Sequence, residues 1–382
     1  MITLRSGWGW VELAGEPALA LPVPPGALGR AWAGLLDRWN AAGRPPPDEP
    51  IAAVLAHARD ALVGERYLAP RRPLASRVAL SSRAIPARAR LLLHALAAPP
   101  TRVGALSGAA GPAWPDDATA DHVRGLLSCR PLACGPSDPA FALSFDLDTP
   151  ASHSAALAMG ERLASDGHRA TFFVVGADVS RATRATSRLR AMGHEIGIHG
   201  WVHDFRLAYL RGRAQRAVLA RIAGAARAVG ARSFRAPALL SSPALRRGLA
   251  PIFELDSTLP TTDRDSLLAP RRGCGARTPF TLDGLLQIPV SAPLDDRLLL
   301  AGWSFDEVLG LWDSLVQTSI TTRTWRVIAC HLEPHLAGRR DRLDALLRWV
   351  ARAELPRSRT LAELAESAGP PGAAAQRPLP SQ

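Results

Sequence analysis

The sequence predicts an α/β fold in which parallel strands alternate with helices and close into a barrel or form an open sheet. The first observation is that strand-like and helix-like segments alternate from Phe141 onward. The second is that polar side chains stand where several of these strands end. The third is a hydrophobic content of 47% in 382 residues, which is enough for a sizeable core. In such folds the chemistry belongs at the carboxyl ends of the strands.

Residues 1–135 differ from the rest and are predicted to form a smaller, mainly helical region whose role the sequence does not define. Apolar residues recur there with helical spacing, and Pro-rich joints separate the segments. The predicted helices are Ala27–Trp39, Ile51–Val63 and Ala84–Ala97, and a Pro/Gly-rich linker follows at 98–117.

The alternating part spans residues 136–368. Its strands are short runs rich in apolar, β-branched and aromatic residues, and Gly193 and Gly230 mark helix ends. The predicted strands are 141–148, 170–175, 195–198, 233–235, 252–255, 285–290 and 327–330, and the predicted helices are 154–165, 179–192, 206–229, 304–316 and 341–353, with Ser242 capping one more. Residues 369–382 are rich in Pro, Ala and Gln and are predicted to be a disordered tail.

The charge and cysteine content favour a cytoplasmic enzyme that does not bind nucleic acid. The net charge is +12, and every basic residue is Arg. An anionic partner would explain this charge, but the Arg residues are spread out rather than clustered with aromatic residues, which favours codon bias in a GC-rich genome. The four cysteines match no disulfide or zinc framework, as expected for reduced thiols. We expect neither a signal peptide nor a membrane span.

Two carboxylates stand at the end of the first strand of the alternating part, in the stretch F-A-L-S-F-D-L-D. Strand alternation points Asp146 and Asp148 to the same side. Two acids held together need a neutralising partner, and a metal cation on one would leave the other free as a base.

Further polar residues stand at the ends of later strands. His199 and His203 follow the strand at 195–198, with a spacing that lets both imidazoles reach one cation if the segment turns. One Asp and two His form a facial set of metal ligands with open positions for water and substrate. Arg235, Asp256 and His331 end three more strands, so these side chains are predicted to converge on one rim.

In this order the residues resemble the polysaccharide deacetylases of carbohydrate esterase family 4. The motifs that carry the resemblance are S-F-D-L-D, A-T-F-F-V-V-G, G-H-E-I-G-I-H-G-W-V-H, F-R-A-P, L-D-S-T and V-I-A-C-H, and they cover residues 140–367. The resemblance implies a distorted (β/α) barrel of about seven strands and a metal-dependent hydrolase.

The resemblance also implies roles for individual residues. Asp146 is expected to be the catalytic base, and Asp148, His199 and His203 the ligands of a divalent ion such as Zn²⁺. Arg235 is expected to orient the base. His331 is expected to be the general acid, with Asp256 as its paired carboxylate and His335 as the runner-up for the acid. The backbone N–H of Ala238 is a candidate for holding the oxyanion.

Three positions depart from the family pattern. Gly200 stands where many members have Ser or Thr, and Ala238 and Leu239 replace the more usual Gly and Tyr. These changes affect the sugar subsite more than the metal site. Trp201 and Trp303 are candidates for stacking on a sugar, although core or rim packing is the simpler interpretation.

The function predicted from these observations is removal of an N-acyl group, an N-acetyl group in the leading case, from a substrate that contains an amino sugar. Two alternatives stay open: an amidohydrolase acting on a linear or cyclic amide that is not a sugar, and a barrel that binds carbohydrate without turnover. The sequence leaves the oligomeric state undetermined.

Overall fold

The computed structural model describes residues 2–5, 8–13, 19–23, 26–43, 50–51, 140–204, 206–260, 279–300, 302–321, 325–352 and 355–367. The helices predicted within 51–63 and 84–97, the linker at 98–117 and the tail at 369–382 lie outside these residues, apart from Ile51. Among the described helices, none combines the length and the apolar character needed to cross a lipid bilayer.

The described N-terminal residues form a small antiparallel sheet followed by a helix. The strands are β1 (Ile2–Arg5), β2 (Trp8–Leu13) and β3 (Leu19–Val23), and the helix is α1 (Gly26–Ala41). Helix α1 matches the segment predicted at 27–39, whereas the sheet was not predicted. Whether residues 1–135 as a whole are mainly helical stays a prediction, because most of them lie outside the described part.

A second, larger sheet carries the rest of the described chain. Its strands are β4 (Ala140–Leu147), β5 (Ala170–Val174), β6 (Glu195–Ile198), β7 (Ser233–Phe234), β8 (Leu255–Asp256), β9 (Phe280–Leu282), β10 (Leu285–Gln287) and β11 (Trp325–His331). The spatial order is β11-β4-β5-β6-β7-β8-β10-β9, with β9 antiparallel to β10 and every other pair parallel. Seven parallel strands therefore form a curled, barrel-like sheet, and the predicted distorted (β/α) barrel is confirmed.

Helices connect most of these strands, and all of them except the last cover the outer face of the sheet. They are α2 (His153–Ser165), α3 (Val179–Ala191), α4 (Gly212–Val229), α5 (Pro243–Leu249), α6 (Asp295–Leu300), α7 (Phe305–Thr321), α8 (Arg340–Val350) and α9 (Leu361–Ser367). Ser242 caps α5 as predicted, because its Oγ accepts a hydrogen bond from the backbone N–H of Leu245 at 3.1 Å.

Two apolar layers lie on the two faces of the sheet. The outer layer packs the sheet against the helices and includes Phe145, Phe172 and Phe234. The inner cluster fills the concave side and consists of Ala142, Phe173, Leu255, Ile288, Trp325, Val327, Leu361, Leu364 and Ala365. Helix α9 supplies the last three of these residues, so it closes one end of the barrel.

Only one of the two strands of the β9–β10 hairpin was predicted. The strand at 285–290 was expected, and the structure ends it at Gln287 and adds β9 before it. Asp283 and Gly284 join the two strands with φ angles of 50° and 85°. An Asp-Gly pair with both φ angles positive is a two-residue turn that matches the twist of a hairpin.

Candidate active site

The predicted rim exists where the carboxyl ends of β4, β6, β7 and β11 meet. Asp146 and Asp148 stand at the end of β4, and His199 directly follows β6. Arg235 follows β7, and His331 is the last residue of β11. All five side chains are buried.

Asp148, His199 and His203 come together as a ligand-like set. The Oδ1 atom of Asp148 lies 3.3 Å from Nε2 of His199 and 3.2 Å from Nε2 of His203. This oxygen is buried and accepts no hydrogen bond of good geometry from the described residues. A carboxylate oxygen that faces two imidazole nitrogens without such a bond is the kind of site that a cation stabilises.

The backbone sets the orientation of the His199 ring. Its Nδ1 lies 3.0 Å from the carbonyl oxygen of Arg235, and its backbone N–H donates to Val174 O at 2.8 Å. Donation from Nδ1 to that carbonyl leaves the lone pair on Nε2, which points at Asp148. His199 is therefore held in the tautomer that a metal ligand needs.

The loop between the two histidines requires unusual backbone angles. Gly200 has a φ of 63°, and a Cβ at this position would lie 2.7 Å from Cδ of Pro237. His203 also has a positive φ, of 52°. These angles turn the segment so that both imidazoles face Asp148, and they explain why Gly stands at position 200.

Asp146 is held by a fully buried arginine. Nη1 of Arg235 donates to Oδ1 of Asp146 at 2.7 Å, while Nη2 donates to the hydroxyls of Ser144 and Ser257 at 2.8 and 2.9 Å. The guanidinium carbon also lies 4.2 Å from the centre of the Phe173 ring. These contacts fix one oxygen of Asp146 and leave the other, Oδ2, 4.0 Å from Nε2 of both His199 and His331.

The carboxylate paired with His331 is Asp295, and the prediction that Asp256 fills this place is wrong. Nδ1 of His331 lies 2.7 Å from Oδ1 of Asp295, and its backbone N–H donates to Oδ2 at 3.1 Å. The backbone N–H of Thr258 donates to Oδ1 of Asp256 at 3.0 Å, and so does the hydroxyl of Thr258.

Strand alternation explains the difference. In β8, Leu255 belongs to the inner cluster, so the next residue, Asp256, faces the helices. Its partner in register is Phe234, which lies in the outer layer. Asp295 was missed because it begins helix α6, which was not predicted, rather than ending a strand.

A buried glutamate, Glu333, is a second residue that sequence reasoning missed. Its Oε1 accepts hydrogen bonds from the backbone N–H groups of Asp148 and Thr149 at 2.8 and 3.2 Å. The sequence signal that could have indicated Glu333 is its place two residues after His331.

The pKa values of the site follow from burial and charge. Burial lowers the pKa of His331, but the Asp295 and Asp296 carboxylates outweigh it and hold this pKa well above its usual value. Burial raises the pKa of Asp148, but His203 and His199 outweigh it and bring this pKa well below its usual value. Burial, and then the Asp148 charge, raise the pKa of Glu333.

The remaining predicted residues lie at the edge of this arrangement. His335 is half-buried and follows the strand end, whereas His331 is the histidine that reaches Asp146. Trp201 and Trp303 are half-buried and pack against the outer layer, which agrees with a packing role. Ala238 and Leu239 have φ angles of 54° and 53°, a region that favours glycine.

Comparison with known proteins agrees with the resemblance drawn from the motifs. Residues 135–248 match the sequence model of a family described as polysaccharide deacetylase. None of the curated proteins compared matches the chain.

Three solved structures show partial similarity to this chain. A protein from Mycobacterium smegmatis assigned as a polysaccharide deacetylase has 22% identity and a TM-score of 0.46, over 61% of this chain and 90% of its own. A family 4 carbohydrate esterase from Streptomyces lividans has 17% identity and a TM-score of 0.38, over 56% and 88%. The peptidoglycan deacetylase PdaC from Bacillus subtilis has 16% identity and a TM-score of 0.40, over 61% and 92%.

The matched segment contains Asp146, Asp148, His199, His203 and Arg235, which all lie at the rim described above. Residues 135–248 are therefore similar to the polysaccharide deacetylase family.

Proposed function

We propose that this protein is a metal-dependent hydrolase that removes an N-acyl group, in the leading case N-acetyl, from a substrate containing an amino sugar. The observation that carries the proposal is the set of Asp148, His199 and His203, with Asp146 and His331 beside it. A base, an acid and a cation site within one buried rim are what amide hydrolysis requires.

The residues present fit a divalent cation. Asp148 Oδ1, His199 Nε2 and His203 Nε2 would hold it, and an oxygen and two imidazole nitrogens suit Zn²⁺, which we propose as the native ion. The buried carboxylates of Asp146 and Asp148 lie at the same position. When bound, such an ion polarises a carbonyl group and makes a nearby water more acidic.

Asp146 is the proposed general base. Because Arg235 holds Oδ1, the free oxygen Oδ2 keeps a fixed direction towards the rim. This oxygen takes the proton from the water that attacks the amide carbonyl.

His331 is the proposed general acid. Its Nδ1 is hydrogen-bonded to Asp295, so a protonated ring presents its second N–H from Nε2 towards the rim, 4.0 Å from Asp146 Oδ2. The leaving amine needs a proton as the carbon–nitrogen bond breaks, and this N–H supplies it.

A second candidate substrate class is an amide that is not part of a sugar. The positions that depart from the family pattern, Ala238 and Leu239, favour it, because they form a turn next to Pro237 without the aromatic residue expected there. A cytoplasmic location remains a prediction, supported by the buried free thiol of Cys330.

The test combines metal analysis with an acetate-release screen over N-acetylated sugars, nucleotide sugars, cyclic imides and ureides. We expect the purified protein to contain about one divalent ion per chain and to release acetate from N-acetylated sugars. Ring opening of imides without acetate release would favour the second candidate. Full metal occupancy without turnover of any amide would indicate a binding protein.

Two variants separate base from ligand. Asp146→Asn keeps a hydrogen-bond acceptor for Arg235 but cannot take a proton, so we expect normal metal content and a rate lower by about 10²–10⁴-fold. His203→Ala removes a ligand and should lose both metal and activity. Equal metal loss in the two variants would make Asp146 a ligand instead.

A further inference from the structure

The carboxylate of Glu333 occupies a place where the sheet leaves a backbone donor without a partner. The parallel ladder between β4 and β11 ends at the pair of Asp146 and His331, and the ladder between β4 and β5 ends at Leu147 and Val174. The N–H of Asp148 lies beyond both ladders, two residues after the last pair with β11 and one residue after the last pair with β5. Glu333 Oε1 accepts from this N–H at 2.8 Å.

The chain around Glu333 is itself tightly held. After β11 the chain folds back, and the carbonyl of Glu333 accepts from the N–H groups of Leu336 and Gly338 at 2.9 and 3.1 Å. A Cβ at Gly338 would lie 2.0 Å from the carbonyl oxygen of Leu332, so only glycine fits this turn. The turn fixes where the Glu333 side chain begins, and burial restricts where it ends, because only 1% of the residue is exposed.

We infer that Glu333 is a positioning residue that holds the end of β4, and with it Asp148, in place for the cation. Its hydrogen bonds to the N–H groups of Asp148 and Thr149 replace the ladder bonds that stop before these residues. The same turn carries His331, so Glu333 also fixes the general acid relative to the ligand set. The part of this inference that concerns the acid rests on the proposed function; the part that concerns the cation does not.

The inference depends on hydrogen-bond acceptance and reach rather than on the charge of Glu333. Glu333→Gln keeps an oxygen at the same reach and can accept the same two bonds. Glu333→Asp keeps the charge but is shorter by one methylene. Glu333→Leu fills the space without an acceptor and leaves the buried N–H of Asp148 and the half-buried N–H of Thr149 without this partner.

A matched control exists at the opposite end of the sheet. Glu195 begins β6, and its Oε2 accepts a hydrogen bond from the backbone N–H of Ala362 at 3.0 Å and from the hydroxyl of Thr171 at 2.8 Å. Glu195→Leu therefore removes the same kind of contact from a position that carries no ligand. It tests whether any loss of such a carboxylate weakens metal binding through general destabilisation.

The experiment measures Zn²⁺ affinity of the full-length apoprotein by competition with a chelator, together with thermal unfolding of each variant. We expect Glu333→Leu and Glu333→Asp to bind Zn²⁺ about 10–100-fold more weakly, as typical for residues that orient metal ligands. Glu333→Gln should stay within a few-fold of the wild type. Glu195→Leu should melt earlier yet bind Zn²⁺ normally.

Several results would overturn the inference. Normal Zn²⁺ affinity in folded Glu333→Asp would show that reach is unimportant, and weak binding in Glu333→Gln with normal binding in Glu333→Asp would assign the effect to charge. Equal weakening in Glu195→Leu would assign it to stability. If Glu333→Leu does not fold, the Gln and Asp variants decide the question alone. Wild-type protein that binds Zn²⁺ but hydrolyses no amide would refute the proposed function and leave standing the part of this inference that concerns the cation.

Discussion

Asp295 is the carboxylate that contributes most to keeping the proposed general acid, His331, protonated. Its carboxylate contacts both the ring and the backbone of His331 and offsets the effect of burial on the pKa of that ring. A general acid must be protonated to act, so activity falls as the pH rises through its pKa. Because the pKa of His331 is raised, the alkaline limb of the rate profile should lie well above the usual histidine range.

Asp295→Asn should move this alkaline limb to lower pH. The neutral amide no longer favours the protonated ring, so the pKa of His331 falls and the acid is lost at lower pH. We also expect kcat/KM at the optimum to drop by roughly 10–100-fold, part of the 10²–10⁴-fold that acid–base catalysis contributes. The measurement is kcat/KM against pH.

Asp256→Asn is the matched control, since it makes the same change of charge at a buried carboxylate on the other face of the sheet. Burial raises the pKa of Asp256, so its neutral form costs little. The alkaline limb of the rate profile of the Asp256→Asn variant should coincide with that of the wild type. A limb that moves with Asp256→Asn and stays with Asp295→Asn would restore the pairing expected from the motif L-D-S-T.

Individual site residues could be predicted from the sequence where strand alternation decides which face of the sheet a side chain takes. Elsewhere they could not be predicted. Asp146 and Asp148 share a face, as their spacing requires, and both reach His199. The prediction for Asp256 was wrong because a position at a strand end does not by itself reveal which face of the sheet the side chain takes. Asp295 and Glu333 reach the site through a short helix and a turn, and neither has a periodic pattern to read.

Among the connecting elements, the loop from His199 to His203 has the strictest backbone requirement. Gly200→Ala should destabilise the protein by about 1–3 kcal/mol, because a left-handed φ and contact with Pro237 both oppose a Cβ. Zn²⁺ affinity should fall with it, since the same loop carries both imidazoles. Denaturant unfolding and chelator competition measure the two effects.

Gly224→Ala provides the comparison within α4. A Cβ there meets nothing within 4 Å, and its φ is not left-handed. Alanine in a helix interior should therefore stabilise the protein by about 0.5–1 kcal/mol. If both substitutions changed stability in the same direction, the conformational argument for Gly200 would fail.

Most elements of the barrel were predicted to within a few residues, and the misses have local causes. Helix α4 begins at Gly212 instead of Arg206. The Asp204 side chain accepts a hydrogen bond from the Arg206 N–H at 3.0 Å, a turn that competes with helix formation. A short 3₁₀ turn at Leu207–Tyr209 follows, and it buries Leu207 and Ala208.

At the scale of the whole molecule, the segment 355–367 covers the end of the barrel that lies opposite the active-site rim. The hydroxyl of Ser358 accepts from the Leu143 N–H at 2.9 Å, and its carbonyl accepts from the Arg169 N–H at 2.8 Å. Leu361 and Leu364 are fully buried in the inner cluster. Helix α9, which lies in this segment, is at the end of the sheet opposite the rim. It therefore contributes to stability rather than to chemistry.

Two truncations test this role. A chain ending at Arg352 loses three buried leucines, Leu355, Leu361 and Leu364. Each is worth about 1.5–3 kcal/mol, so together they are a large part of a typical stability of about 5–15 kcal/mol. We expect it to be unfolded or to melt much earlier than the full chain. A chain ending at Ser367 loses only the predicted disordered tail and should melt like the full chain. Similar melting of both truncated proteins would contradict the closing role of α9.

The overall architecture followed from the alternation of segments, whereas the closure of the barrel did not. Alternating strands and helices imply a parallel sheet whatever its curvature. The contacts that close it are made by α9, a helix of seven residues that shows little periodicity of its own. Its place is set by the inner cluster, which only the folded chain brings together.

The pairing of β11 with β4 also affects how this protein is made. The ribosome releases β4 long before it releases β11, yet the two strands are neighbours from Ala140 and Trp325 to Asp146 and His331. During synthesis, one edge of the apolar strand β4 is therefore unpaired until β11 is made. Such exposed strand edges readily pair with other chains and aggregate. We therefore expect the nascent polypeptide, more than the folded protein, to need chaperones.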